Sequence, residues 1–416
     1  MTAEDERMDA EAQAVDLYDK KDEAYFSYYS QLTHQAQMLQ DAVRTSAYQN
    51  AILAHGPACF QGKTAMDVGA GNGILSLFSI QAGAALVYAV EASDVIGCLH
   101  RLVAASSGED ENAPNAWMRD RLGVVHSRVE DVTPQVLEKA TPRGLLPADT
   151  EQVDTIVSEC LGVLLVHERM CESFLEARDK FLRPGGALFP RTGTLCFSLL
   201  NDARLWQEVR ARADWWNTTN FYGVDLTPFL GASRTEAFQS PVVGCFSPTH
   251  VVGAQTDLST AAILCPDEAV CKYLVDFGTV SSADLRTFDV PIAFDCVDEP
   301  TVVHGLGAWF DLSFLQPGEV EEDDLQPRNA MTTSPFAPPT HWAQVRMLFH
   351  EPLALNTGQR VLGTLHFEAN ESRSYDIHAD LYVPLPDGIG GNTPLFRRTA
   401  LWKLDKQTYS WETPGA

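Results

Sequence analysis

Hydrophobic and polar positions divide the chain into stretches of different period. Residues 24–55 repeat at helical spacing, with Met38, Leu39, Ala42 and Val43 followed by Tyr48, Ile52 and Leu53. From about 64 to 190, the short apolar runs TAMDVG, LVYAVEAS, VVHSRVED, DTIVSE and GALFP alternate with helical segments. That alternation predicts a mostly parallel sheet covered by helices. Beyond 190 come TLCFSLL, AAILC, VPIAFDCV, AWFDLSFL, AQVRMLFH, VLGTLHFEA and YDIHADLYVPL, with turn residues between them. These predict an antiparallel β-barrel or sandwich. Residues 202–240 interrupt it with a helical, aromatic-rich segment that reads as an inserted arm. Residues 316–339 are proline-rich and acidic and read as a flexible surface loop; 1–23 read as a solvated acidic tail.

The expected fold class is therefore α/β: a parallel-sheet domain over 24–190, with N-terminal helices, followed by a β-barrel domain over 191–416 that carries the arm. At 416 residues the chain is too long for one compact core. Thirty basic against fifty-six acidic residues give a net charge of −26. Such a field repels phosphate backbones, so direct nucleic-acid binding is not expected, whereas Lys- or Arg-rich peptides would be attracted. The nine cysteines are scattered, odd in number and without a C-x-x-C pair, which predicts reduced thiols and no metal site. The acid-rich start lacks a signal-type apolar region and no run reaches eighteen apolar residues, so neither secretion nor a membrane is expected. The expected compartment is the cytoplasm, with the nucleus also open.

The sharpest local signal is Met66-Asp67-Val68-Gly69-Ala70-Gly71-Asn72-Gly73, running from a strand into a helix. Glycines let the backbone turn sharply and let a ligand approach closely. A dinucleotide fingerprint would need a small residue at Ile74; the G-x-G-x-G spacing instead suits an adenosyl cofactor with no pyrophosphate to cradle. Glu91 closes the next strand, where a carboxylate can take both ribose hydroxyls. Glu130 follows the third strand and is placed to accept from an adenine amino group. After the fourth strand comes Ser158-Glu159-Cys160-Leu161-Gly162-Val163-Leu164-Leu165-Val166-His167-Glu168. Two glutamates in an apolar loop are costly to desolvate unless a cation pairs with them, and a planar guanidinium can bridge both. Spacing alone equally allows Glu168 to cap the following helix and Glu159 to make a local ion pair.

This segment resembles the double-glutamate loop of the protein arginine N-methyltransferase family. Residues 25–52 resemble the family's cofactor-covering helices, FLRPGGALFP (181–190) its block after the catalytic loop, and Pro339-Thr340-His341-Trp342 its threonine–histidine–tryptophan loop. DWWNTTNFYGVD (214–225) resembles the base of its dimerisation arm. The resemblance implies an enzyme using S-adenosyl-L-methionine and releasing S-adenosyl-L-homocysteine. It assigns Arg44 to the cofactor's carboxylate, Gly69, Gly71 and Gly73 to its backbone, Glu91 to the ribose and Glu130 to the adenine, with Tyr29, Met38, Asp67 and Val129 completing the cofactor set. Glu159 and Glu168 would be catalytic, aiming the substrate guanidinium. Asp41 and His341 would either relay its proton or fix the N-terminal helices. Tyr25, Met38 and Trp342 would join the glutamates in binding substrate. Implied partners are RG-rich RNA-binding proteins or histones, and a second copy of the chain in a head-to-tail dimer.

The chain departs from the family pattern at several points. Cys160 and Leu161 stand where the family commonly has Trp and Met; His167 replaces an aromatic, and Gln35 takes the place of the usual histidine, with His34 one position before it. Product type is therefore open between monomethyl, symmetric and asymmetric dimethyl; Met38 and His341 favour the asymmetric class. A non-catalytic activating subunit is the alternative from a different functional class.

Overall fold

The computed structural model describes residues 25–106, 113–142, 152–257, 263–294, 297, 299–320, 329–385 and 393–410; the expected tail 1–23 lies outside them. The helical stretch over 24–55 is broken into α1 (25–29), α2 (Leu32–Gln40) and α3 (Ala42–Ala54). Asp41 makes the second break. Its extended backbone ends α2, and its carboxylate accepts the Arg44 N–H at 3.0 Å, capping α3. α3 buries Tyr48, Ala51 and Ile52, and the Tyr48 hydroxyl donates to the Ser158 carbonyl at 3.1 Å.

β1 (Thr64–Val68), β2 (Leu86–Glu91), β3 (Leu122–His126), β4 (Val153–Ser158) and β5 (Leu182–Phe189) form the expected parallel sheet, in the order β3-β2-β1-β4-β5. Every residue of β2 is buried, as an unbroken apolar run requires in a sheet covered on both faces. Four helices accompany the sheet: α4 (Ile74–Gln81), α5 (Ile96–Ser106), α6 (Pro134–Ala140) and α7 (Met170–Phe181). Strand order reverses between β1 and β4, so the ends of β1, β2 and β4 open on one crevice. The run VVHSRVED is strand only as far as His126. Val129 and Val132 both turn into the core, a spacing of three that a strand cannot give, and Val129–Asp131 form one 3₁₀ turn.

Among the described residues the second half holds two large β-sheets and a two-stranded ribbon. In the larger, β6 (Thr192–Leu200) lies between Cys271–Asp276 and Thr301–Ser313, followed by Val345–Leu355 and shorter strands. The smaller joins Thr287–Phe294, Val361–Asn370, Ser374–Pro384 and Pro394–Lys403. Phe197 meets Phe367 at 6.2 Å and Phe349 meets Trp402 at 5.8 Å between them. Among the described residues the strand ladders do not close into one ring, so the expected barrel is an open two-sheet barrel. Of AAILC only Ile263–Leu264 is strand, in a separate two-stranded ribbon.

The expected flexible loop 316–339 is corrected in part. Ala330–Thr332 pair with Asp311–Ser313, and buried Thr333 bonds both main-chain groups of Phe310. Glu319 docks on His55 at 2.9 Å. Residues 321–328 lie outside the described set.

The arm is a helical hairpin of α8 (Ala203–Asp214) and α9 (Leu230–Gln239) whose connecting loop exposes Trp215, Phe221, Tyr222 and Val224. Its root is charged and buried. Asp202 caps α8 through the Leu205 N–H at 2.9 Å and accepts from Arg346 Nη1 at 3.1 Å, with side chains 3% and 0% exposed. Breaking such a pair strands a buried cation. Asp202→Ala should therefore cost about 3–5 kcal/mol of stability. Chemical denaturation reads this as an early loss of the barrel transition.

Candidate active site

The glycine loop leaves β1 with Gly69, Gly71 and Gly73 at φ 70°, 55° and 88°, the left-handed region that side chains avoid. A Cβ on Gly73 would also lie 2.6 Å from Leu99 Cδ1, so this turn requires glycine. The loop borders a cleft that Tyr25, Tyr29, Met38, Arg44, Glu91, Val129, Glu130, Glu159 and Glu168 also line. Glu91 is anchored at the end of β2 by the Gly71 N–H at 2.8 Å and the Ser93 N–H at 2.7 Å. Glu130, just beyond β3, receives the Ser173 hydroxyl at 2.6 Å. Two carboxylates thus stand at successive strand ends with their oxygens oriented by protein donors.

Across the cleft lies the double-glutamate loop. Glu159 Oε2 accepts from Arg44 Nε at 3.1 Å and Nη2 at 2.7 Å, while Oε1 accepts the Leu161 N–H at 3.2 Å. Arg44, assigned by resemblance to the cofactor, therefore has a carboxylate of the protein as its first partner. Glu168 Oε2 accepts from the Tyr29 hydroxyl at 2.8 Å. Leu164, Leu165, Glu168 and Arg169 all have φ between 52° and 71°. Non-glycine residues held there cost about 1–3 kcal/mol each, a strain that clusters at functional sites. Burial lifts the Glu168 carboxyl to about 7, against hydrogen bonds from Tyr29 and Tyr25 that favour the anion. Burial, then Glu168 itself, pushes both phenols well above their ordinary range, so they remain donors.

Four expected site side chains stand outside the cleft lining. Asp67 is buried beneath the glycine loop, where burial raises its carboxyl to about 7 and Ser76 Oγ donates to it at 2.7 Å. It shapes the loop and does not line the cleft. Trp342 is buried too, because its indole N–H finds a partner in the Leu161 carbonyl at 3.0 Å; it supports the glutamate loop from below instead of contacting substrate. His341 and Asp41 do meet: the Asp41 carboxylate accepts the His341 N–H at 2.8 Å and lies 2.7 Å from Nδ1. Both stand outside the cleft lining, as a tie between helices and barrel. Burial raises the Asp41 carboxyl, but the bonds to His341 and the Arg44 N–H outweigh it and hold the group at about 2.

Sequence reasoning marked Gln35 only as a departure. Its Oε1 accepts from Asn72 Nδ2 at 2.8 Å and Asn72 N at 3.2 Å, and its Nε2 donates to the Tyr29 carbonyl at 3.0 Å. Ser173 and Arg373, both in the cleft wall, were missed. Ser173 is spaced on α7 to face Glu130, a signal visible only once the strand ends are placed. Arg373 lies in a turn more than two hundred residues from Glu168 and carries no local signal.

A cation entering between the glutamates needs Glu168 ionised. That group's carboxyl near 7 is raised, so the anion forms only as pH climbs through this value. Affinity for a guanidinium-bearing peptide should rise by about tenfold per pH unit below 7 and level off above it. Calorimetry in two buffers should show the accompanying proton release; a flat profile between pH 6 and 8 would contradict the assignment.

Residues 191–383 match the family model described as the arginine methyltransferase oligomerization subdomain. A rice relative (Oryza sativa subsp. indica) named "Probable histone-arginine methyltransferase CARM1" is 38% identical over 391 residues, covering 94% of this chain and 65% of its own. An Arabidopsis thaliana relative named "Probable histone-arginine methyltransferase 1.3" is 36% identical over 405 residues, covering 96% and 66%. The chain thus spans about two thirds of the length of these curated relatives. Among solved structures, Arabidopsis thaliana protein arginine methyltransferase 10 has a TM-score of 0.68 and 27% identity, covering 91% of this chain and 99% of its own. The Trypanosoma brucei PRMT1 enzyme–prozyme complex with AdoHcy has a TM-score of 0.67 and 26% identity, covering 90% and 99%. With a parallel-sheet cleft, a double-glutamate loop and a matching second half in one order along the sequence, the chain belongs to the protein arginine methyltransferase family.

Proposed function

We propose that the chain transfers a methyl group from S-adenosyl-L-methionine to a guanidino nitrogen of arginine in basic protein segments. The observation that carries this reading is the pair Glu159 and Glu168, two largely buried carboxylates in the wall of the glycine-loop cleft. The residues present fit the cofactor. Gly69 and Gly71 offer bare backbone, and anchored Glu91 keeps a free lone pair on each oxygen for a ribose diol. Glu130 faces the adenine side, and Arg44 lies close enough to the cleft to share its guanidinium with a carboxylate.

When bound, S-adenosylmethionine supplies an electrophilic methyl on a sulfonium. The protein must present a guanidinium to it, although that cation is a poor nucleophile with its lone pairs delocalised. Glu159 and Glu168 would hold the two nitrogens that do not react, localising charge there and aiming the third. Positioning of this kind contributes several kcal/mol to lowering a barrier, on the order of 7–11 at best. A proton leaves the attacking nitrogen during or after transfer, so free arginine need not be deprotonated first. The Asp41–His341 tie lies outside the cleft, which supports its role as a clamp on the N-terminal helices over that of a relay.

The relatives named probable histone-arginine methyltransferases favour histone tails as substrates, and the net charge of −26 suits these and other basic segments, RG-rich ones included. The resemblance at Met38, which lies in the cleft wall, and at His341 favours the asymmetric dimethyl product over the monomethyl one. The exposed aromatic residues of the arm favour a head-to-tail homodimer in which each arm covers the partner's cofactor domain. The complete set of Arg44, Glu91, Glu130, Glu159 and Glu168 argues against a purely activating subunit.

Purified protein should methylate an RGG peptide and spare its all-lysine counterpart. Glu159→Gln or Glu168→Gln should lower turnover at least a hundredfold, roughly the loss seen when one charged transition-state contact goes. S-adenosylhomocysteine affinity should hardly change in Glu168→Gln, which leaves the Arg44–Glu159 pair in place; a parallel loss of cofactor binding there would contradict the assignment. Deleting the arm loop 215–226 should give monomers by light scattering and reduced transfer, whereas an active dimer would refute the arm's role.

A further inference from the structure

Among the described residues, the barrel contributes one charged side chain to the cleft lining. Arg373 lies in the turn between strands Val361–Asn370 and Ser374–Pro384 and lines the same cleft as both glutamates. The turn is firmly built. Asn370 Oδ1 accepts the Ser372 N–H at 2.9 Å and the Ser374 N–H at 3.2 Å, and its Nδ2 donates to Asp376 at 2.9 Å. Three consecutive residues of the glutamate loop are fastened to it. His167 Nδ1 bonds Ser374 Oγ at 2.8 Å, the Glu168 carbonyl accepts from Arg373 Nε at 3.1 Å, and Arg169 Nη1 donates to the Asn370 carbonyl at 3.3 Å. The Arg373 guanidinium also covers the Tyr25 ring, 4.5 Å from its centroid.

We propose that Arg373 is a positioning residue for the acceptor arginine: it fixes left-handed Glu168 through its carbonyl, roofs Tyr25 and lends the acceptor pocket a resident cation. The proposal rests on the arginine-methyltransferase reading and deepens it, by making the acceptor site a joint product of the two halves of the chain.

The groups facing Glu168 have distinct signs. From α1 come the neutral donors Tyr25 and Tyr29; from its own loop comes Glu159, an anion already shared with Arg44; from the barrel comes Arg373. Burial and Glu159 disfavour the Glu168 anion, and Arg373 is the cation that opposes them. Removing it leaves burial and like charge less opposed, so the carboxylate forms at higher pH. Loss of the carbonyl bond also frees a residue held in a strained conformation.

The test uses the full chain with S-adenosylhomocysteine bound, titrated calorimetrically with an RGG peptide from pH 6 to 8.5. Arg373→Ala should keep cofactor affinity within about twofold and move the pH midpoint for peptide binding upward by about one unit, roughly a fivefold loss at pH 7 that shrinks toward pH 8.5. Arg373→Lys keeps the charge without the planar fork, so it should restore the midpoint and leave a smaller, pH-independent loss. A loss equal at every pH, a parallel fall in cofactor affinity, or no change would each overturn the role of Arg373 while leaving the methyltransferase reading standing. A wild-type chain that binds the cofactor but never the peptide would overturn that reading, and this role with it.

Discussion

Holding two largely buried carboxylates, Glu159 and Glu168, in the wall of one cleft is the constraint that organises this molecule. Each needs neighbours that satisfy its oxygens without filling the space between them. Glu159 receives Arg44 from α3, and Glu168 receives Tyr29 from α1. The glutamates sit on a loop between a strand and a helix, yet their partners arrive from 25–44 and from the barrel turn. Converging these segments requires the N-terminal helices to lie over the crevice and the second half of the chain to press against its far wall. The docking of helices, sheet and barrel is thus one solution to one electrostatic problem.

The barrel supports this loop at several points. Trp342 carries the Leu161 carbonyl, the 370–374 turn carries 167–169, and Asp41 joins α3 to His341. Each contact replaces water at a polar group that would otherwise be stranded when the halves meet. The same logic holds at the root of the arm, where Asp202 satisfies a helix end and a fully buried arginine together. Polar pairs set the relative placement of elements, while the apolar runs that the periodicity reveals set what each element is.

That division explains how much was legible beforehand. The parallel sheet, its order of elements and the arm could be read because apolar period and turn residues are local properties. So could the meeting of Gly69, Gly71, Glu91, Glu130, Glu159 and Glu168 at one cleft, because each lies at the end of a parallel strand or on the loop that leaves it. Trp342 was misplaced because a motif names a residue without saying which way its ring faces. Asp67 was misplaced for a similar reason: a loop-proximal acid can face a ligand or the helix below. Arg373 and the inward turn at Val129 depend on tertiary neighbours that no window of sequence contains. The ordered strand Ala330–Thr332 was hidden by the prolines and acids around it.

Gln35 has a consequence that reaches beyond geometry. The family's customary imidazole at this place would change charge in the same pH interval as the Glu168 carboxyl. An amide does not titrate, so the tie between α2 and Asn72 holds equally in acid and at neutrality. Covering of the glycine loop and charging of Glu168 are thereby separated. The first is insensitive to pH, and the second is left as the proton-dependent event.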